Sequence, residues 1–301
     1  MSGALAARLG AALDRPLDPG VAAFARELGE AAGARAVLFY GSNLRTGSLE
    51  GVLDFYVLLH GARETGPWPR VSYRVRSREG LVLRAKIATM TLATFAEAAR
   101  GETIDTTIWA RFVQPSALGW VEDDAARTEM TEALAAAACT AARLAVAVGP
   151  GRGREEDYWR ALFAATYRAE LRFEKPGREE TILSANRAHF QGLLPLALVE
   201  AGMPFVQNRA EIEPQIEPVE RRRILRWWRR RRRLGKPLNL LRLARATTTF
   251  DGAVRYAAWK VERHTGIPVE LTPWSERHPL LAAPGVVWRF WRERRRRSRK
   301  T

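Results

Sequence analysis

The chain has one cysteine, Cys139, four histidines and four methionines among its 301 residues. A lone cysteine excludes an internal disulfide framework and fits a reducing compartment. Cys139 sits in an Ala-rich run with no histidine beside it, so a buried, inert thiol is expected. His60, His189, His264 and His278 are scattered, and no pair has zinc-ligand spacing. Neither Gly-x-x-x-x-Gly-Lys-Ser/Thr nor Gly-x-Gly-x-x-Gly occurs, which argues against a P-loop ATPase and a Rossmann dehydrogenase. No internal repeat is present. The longest apolar candidate, Ala133 to Gly149, is broken by Arg143 and falls short of the roughly 20 residues a bilayer crossing needs. The first residues carry Arg8, Asp14, Arg15 and Asp18 without an unbroken apolar core, so no secretory leader is expected. Any membrane contact should be peripheral.

Acidic residues are missing where basic ones gather. Arg221 to Lys236 holds nine Arg and one Lys with no acid, and Arg289 to Thr301 nets +7. The whole chain carries +16, so the remainder is near neutral. Two cationic segments on a neutral body point to a localised anionic partner.

The most informative stretch is Ala36-Val-Leu-Phe-Tyr-Gly-Ser42, followed twelve residues later by Asp54-Phe-Tyr-Val-Leu-Leu59. An apolar strand-like run ends in Gly-Ser, and an acid opens a second run. Gly41 lets the backbone approach a phosphate, the Ser42 hydroxyl can bond to it, and the Asp54 carboxylate can bind Mg²⁺. Enzymes that transfer nucleotidyl groups use this layout. Many of them have Asp-x-Asp here, whereas Val52 and Tyr56 flank Asp54. Lys86, on the alternating run 81–87, faces either solvent or the phosphate pocket.

The surrounding pattern is α+β. Apolar spacing predicts helices over 3–33, interrupted by Pro16 and Pro19, and strands over 36–40 and 54–59. Runs 71–75 and 81–87 suggest a hairpin around Glu79-Gly80, 91–100 returns to a helical period, and 109–121 holds another short strand. Strong helices are expected over 124–148, 158–174 and 185–202, with a break at Gly149-Pro-Gly-Arg-Gly153. The acidic, Pro-containing run 211–220 reads as a linker. The divisions follow: a mixed domain over 1–124, a helical domain over 125–220, and a basic region over 221–301.

In this order the motifs resemble one family, the mitochondrial-type phosphatidate cytidylyltransferases, also called translocator assembly and maintenance proteins. Tyr40-Gly41-Ser42 and Asp54-Phe55-Tyr56 look like the family's Tyr-Gly-Ser and Asp-Phe-Ile. Trp68, Ser72-Tyr73 and Lys86 echo the segments that follow. Trp109-Ala110-Arg111-Phe112-Val113-Gln114-Pro115 is similar to Ala-Gly-Arg-Leu-His-Lys-Pro. Thr166-Tyr167-Arg168-Ala169-Glu170-Leu171-Arg172 is similar to Ser-Tyr-Met-Gly-Asp-x-Arg. Asn186…Phe190 and Tyr256…Lys260 complete the series. Gln114 stands where the family has Lys, Glu170 where it has Asp, and Ala110 and Ala169 where it has Gly.

The resemblance implies a nucleotidyltransferase-like mixed sheet. It also implies a reaction, in which phosphatidic acid attacks the α-phosphate of CTP to give CDP-diacylglycerol and pyrophosphate. Asp54 would bind Mg²⁺, with Lys86 and Glu170 as its catalytic companions. Tyr40, Gly41, Ser42, Arg111 and Arg172 would contact phosphate. The same site could instead serve RNA or a small metabolite, or be a non-catalytic scaffold.

Ile224, Trp227, Trp228 and Leu234 fall on one broad helical face amid arginines, and Val287, Phe290 and Trp291 repeat this before Arg294–Arg297. Aromatics beside clustered Arg suggest a helix lying in a lipid interface. Trp227, Trp228, Trp288 and Trp291 are therefore the expected membrane contacts. The expected place is the cytoplasmic face of an anionic membrane, with nucleic acid the rival partner.

Overall fold

The computed structural model describes residues 3–65, 69–78, 80–169 and 178–249. Two helices lead, α1 (Gly3–Leu13) and α2 (Pro19–Ala32). Asp18 starts α2 by accepting from the Gly20 and Val21 amides, with Pro19 in the first turn. Then come β1 (Ala34–Tyr40), the short α3 (Ser42–Thr46), β2 (Leu53–Leu59), β3 (Arg70–Arg78), β4 (Leu81–Thr91), α4 (Leu92–Ala99), α5 (Thr107–Phe112) and β5 (Ser116–Val121). These five strands form a mixed sheet in the order β3-β4-β2-β1-β5. β2 and β4 pair in parallel and the other neighbours are antiparallel. The α+β expectation holds as a five-stranded mixed sheet with flanking helices.

Alternation along the strands sends side chains to two cores. Phe39, Phe55, Val57 and Ile87 meet Val21 and Phe24 of α2 in the smaller one. Leu38, Tyr40, Tyr56, Leu58, Ala88 and Met90 point into the larger one. Its centre is α6 (Asp124–Val148), N-capped by Asp123 through the Ala126 amide. The 25-residue α6 is long and apolar enough to cross a membrane by composition, yet 67% of its most apolar window is buried inside the protein. It packs on α1, α4 and α5. It also packs on α7 (Glu155–Ala169), which follows β6 (Gly153–Arg154). Cys139 is half-buried beside this core, and burial pushes its thiol up to about 12.

The segment expected as one helix over 185–202 is two pieces, α9 (Arg187–Phe190) and α10 (Leu193–Glu200), with α8 (Arg178–Ala185) ending where it was to begin. Gly192 breaks it with a left-handed φ of 74°, while its amide donates to Glu155. The expected linker 211–220 is also structured. β7 (Phe205–Asn208) and β8 (Glu211–Pro214) form a hairpin that extends β6, and α11 (Pro218–Thr249) begins soon after. The larger core runs from Leu5 to Trp228, so it draws on both sides of residue 124 and on α11.

α11 corrects the lipid-facing expectation for Trp227 and Trp228. Trp228 is 5% exposed, and both indoles lie against Trp109, with ring centroids 5.7 and 6.1 Å away. Trp227 Nε1 donates to the Gly101 carbonyl at 3.1 Å. Arg231, not Leu234, completes the inward stripe. Its guanidinium stacks 4.0 Å from the Trp227 ring and donates to the Gly101 and Thr103 carbonyls at 2.5 and 2.6 Å. Burial lowers its pKa to about 10, so it stays charged at neutral pH with carbonyls as its acceptors. Further along, a Cβ on Gly235 would meet the Ala169 carbonyl oxygen at 2.6 Å, so only glycine lets α11 lie so close to α7. An apolar stripe among arginines suits a protein core as well as a bilayer, and here the core takes it. Trp288 and Trp291 lie outside the described residues.

Trp228→Ala is expected to lower the unfolding free energy by about 3–5 kcal/mol, measured by urea denaturation. Leu234→Ala, on the exposed side of α11, should shift it by no more than about 0.5 kcal/mol. Equal small effects would mean that Trp228 is not a core residue.

Candidate active site

Five residues line up across the sheet. Strand pairing sets Tyr73 beside Lys86, Lys86 beside Asp54, Asp54 beside Tyr40, and Tyr40 beside Ser116. Asp54 and Lys86 keep step with Tyr56, Leu58, Ala88 and Met90, so their side chains leave the sheet on the face of the larger core. The row lies beyond the apolar packing, where a polar cleft opens.

Gly41 turns the chain from β1 into α3 with φ 92°, a conformation that favours glycine. A Cβ there would come within 2.9 Å of Asp54 Oδ2. Gly41 thus supplies the turn and leaves room for the carboxylate. The loop after it is tied by Asn43, whose Nδ2 donates to the Ser48 and Glu50 carbonyls, both at 2.8 Å. Ser42 is thereby held beside the end of β1.

Arg111 arrives from α5, a helix, while the short strand expected within 109–121 is β5 at its end (Ser116–Val121). The turn 107–112 is helical because Ile108, Trp109 and Phe112 all bury into the larger core. This leaves Arg111 directed at the sheet. Its guanidinium lies 5.3 Å from the Tyr40 ring centroid and donates to the Tyr40 hydroxyl at 3.4 Å. The loop after α5 is held by His189, whose Nε2 lies 2.9 Å from the Val113 carbonyl oxygen. A carbonyl only accepts, so Nε2 carries the proton. Sequence reasoning left His189 without a role, and only the fold brings it to this loop.

The cleft has a volume of about 190 Å³ and is lined by Tyr40, Gly41, Ser42, Asp54, Lys86 and Arg111, together with Arg45, Gln114, Tyr167 and Asn186. That is smaller than the roughly 300–1,000 Å³ of ligand pockets, and is room for phosphoryl groups at the reacting end of a larger ligand. Lys86 belongs to the pocket, which decides its facing. Arg45 was missed in the sequence, although it stands three residues after Ser42. Glu170 and Arg172 lie outside the described residues, as do Trp68, Tyr256 and Lys260.

The electrostatics are those of an anion site. Arg45, Lys86 and Arg111 line the cleft with one carboxylate, Asp54. Burial raises the Asp54 pKa above the usual carboxylate value, against the opposing pull of Lys86 and Arg111. Burial also pushes Tyr40 well above 10, against Arg111, so its phenol stays protonated. Among the described residues, no group of three or more His, Cys, Asp or Glu is placed to hold a metal. The donor set therefore fits Mg²⁺ in one form: held by Asp54 together with phosphate oxygens of a ligand, as Mg²⁺ sites built on one or two carboxylates are. No family model matches the chain, and no curated protein matches it.

His189 carries an acid signature. Burial lowers its pKa from 6.5 to about 4. The unfolded chain takes the proton first as pH falls, so this contribution to stability is present above pH 6.5 and is lost between 6.5 and about 4. Urea midpoints of wild type should drop across that window more steeply than those of His189→Gln. Parallel pH profiles would show that His189 is not held neutral.

Proposed function

We infer that the cleft is the active site of a Mg²⁺-dependent cytidylyltransferase that joins CTP to phosphatidic acid or a related lipid phosphate. One observation carries this: Ser42, Asp54, Lys86 and Arg111, from four separate elements, line one small cationic cleft. Tyr167 and Asn186, which also match the family resemblance, line it too. The nucleotidyltransferase-like identity of the sheet is part of the same proposal.

The chemistry follows from the charges. An oxygen of the lipid phosphate attacks the α-phosphorus of CTP. The bond to the oxygen bridging the α- and β-phosphates breaks, and pyrophosphate leaves with that electron pair. Negative charge grows on phosphate oxygens throughout, and Lys86, Arg111 and Arg45 offset it from fixed positions in a partly dry site. The neutral Tyr40 phenol can donate a hydrogen bond without adding charge. Gly41 and Ser42 provide backbone approach and a hydroxyl. When bound, Mg²⁺ supplies further neutralisation of the triphosphate, with Asp54 as its protein ligand. Glu170 is the candidate second carboxylate. The proposed place of action is the cytoplasmic face of a membrane, where the protein is peripheral.

A second reading, phosphate recognition without catalysis, is favoured by the single carboxylate among three cations in the cleft. The two part in one assay. Protein incubated with CTP, Mg²⁺ and phosphatidic acid vesicles should release pyrophosphate and form CDP-lipid, and Asp54→Ala and Lys86→Met should each slow this by about 10²–10³-fold. CTP binding with no product, and with Asp54→Ala equal to wild type, would favour recognition alone. Product formed only with an RNA or small-metabolite acceptor would keep the transfer and replace the lipid.

A further inference from the structure

α11 has two opposed faces. Ile224, Trp228, Arg231 and Gly235 are buried against the body. Two positions earlier in each case stand Arg222, Arg226, Arg229 and Arg233, all exposed. Two residues turn a helix by about 200°, so these four arginines form a line directly opposite the buried stripe, about 16 Å long. None of the four has an ion-pair partner among the described residues, and no acid occurs between Glu220 and Asp251. The aromatics of α11, Trp227 and Trp228, are turned toward Trp109.

The geometry points to this arginine line as a docking surface for an anionic bilayer, engaged by charge alone and without insertion of α11. Two observations favour a membrane over nucleic acid. The line holds no aromatic side chain on which unpaired bases could stack. The line runs along one face of a single helix, which can bring all four arginines to a flat surface at once, where single-strand binders use a groove. The choice of a lipid also rests on the lipid phosphate substrate proposed above. α11 passes near that site, since Gly235 lies against Ala169, two residues beyond the pocket residue Tyr167.

The test is flotation of the full chain with phosphatidylcholine vesicles, with and without phosphatidylserine. Binding should need phosphatidylserine and weaken with salt. Each arginine near an anionic surface contributes about five-fold in affinity, so Arg222→Gln/Arg226→Gln/Arg229→Gln should lose about a hundred-fold. Its circular dichroism, melting temperature and turnover of a water-soluble short-chain lipid phosphate should stay at wild-type values. A second variant, with Arg294 to Arg297 changed to Gln, separates this line from the other cluster. Vesicle binding unchanged in the triple variant, or lost only in the second variant, overturns the proposal, and so does tighter binding to RNA than to vesicles at equal salt. Loss of CDP-lipid formation with flotation intact would sink the reaction while leaving the surface.

Discussion

The structure turns on a half-buried carboxylate on the central strand of the sheet. Asp54 sits on the core side of the central strand β2, between Lys86 on one neighbouring strand and Tyr40 on the other. Burial works against its charge, and Lys86 and Arg111 work for it. The surrounding features serve that balance. Gly41 leaves room for the carboxylate, α5 brings Arg111 over Tyr40, and His189 holds the loop that follows α5. A carboxyl group whose pKa is raised by burial and opposed by neighbouring cations is common at functional sites.

Helix α11 shows how the fold divides labour along one sequence. Its Trp and Arg residues serve two roles set by helical phase. Trp228 and Arg231 fasten the helix to α5 and to the carbonyls of Gly101 and Thr103. The arginines two positions earlier face outward. The fastening is polar as well as apolar, and a buried guanidinium held by carbonyls fixes the rotation of the helix about its axis. That rotation decides which arginines are presented.

Much of the site was legible before the structure. β1 ending in Tyr40-Gly41-Ser42 and β2 opening at Asp54 follow from apolar runs and a glycine turn, signals that are local. Lys86 was ambiguous because alternation fixes a strand's two faces without saying which is inside. Parallel pairing of β4 with β2 decides it. The short strand expected within 109–121 is Ser116–Val121, while the helical turn that carries Arg111 is not legible, since short, mostly apolar stretches do not distinguish a buried helix from a strand. The break at Gly192 and the β7–β8 hairpin were missed because their signals were read at the scale of longer segments. Trp227 and Trp228 were assigned to lipid because amphipathicity reveals an apolar face but not what covers it. His189 could not have been found, since its contact with Val113 spans 76 residues.

The most direct test of the central claim is the pH dependence of unfolding free energy for Asp54→Asn against wild type. A folded-state pKa raised above 3.8 means that the folded protein holds its proton longer than the unfolded chain as pH rises. Stability from this group is full below 3.8 and is lost as pH rises through the folded value. Asp54→Asn should therefore be more stable than wild type at pH 7, with the gap closing as pH falls toward 3.8, while CTP binding in the presence of Mg²⁺ is lost. A variant less stable than wild type at pH 7, or one that binds CTP as well, would contradict a carboxylate kept at a cost in stability for its ligand.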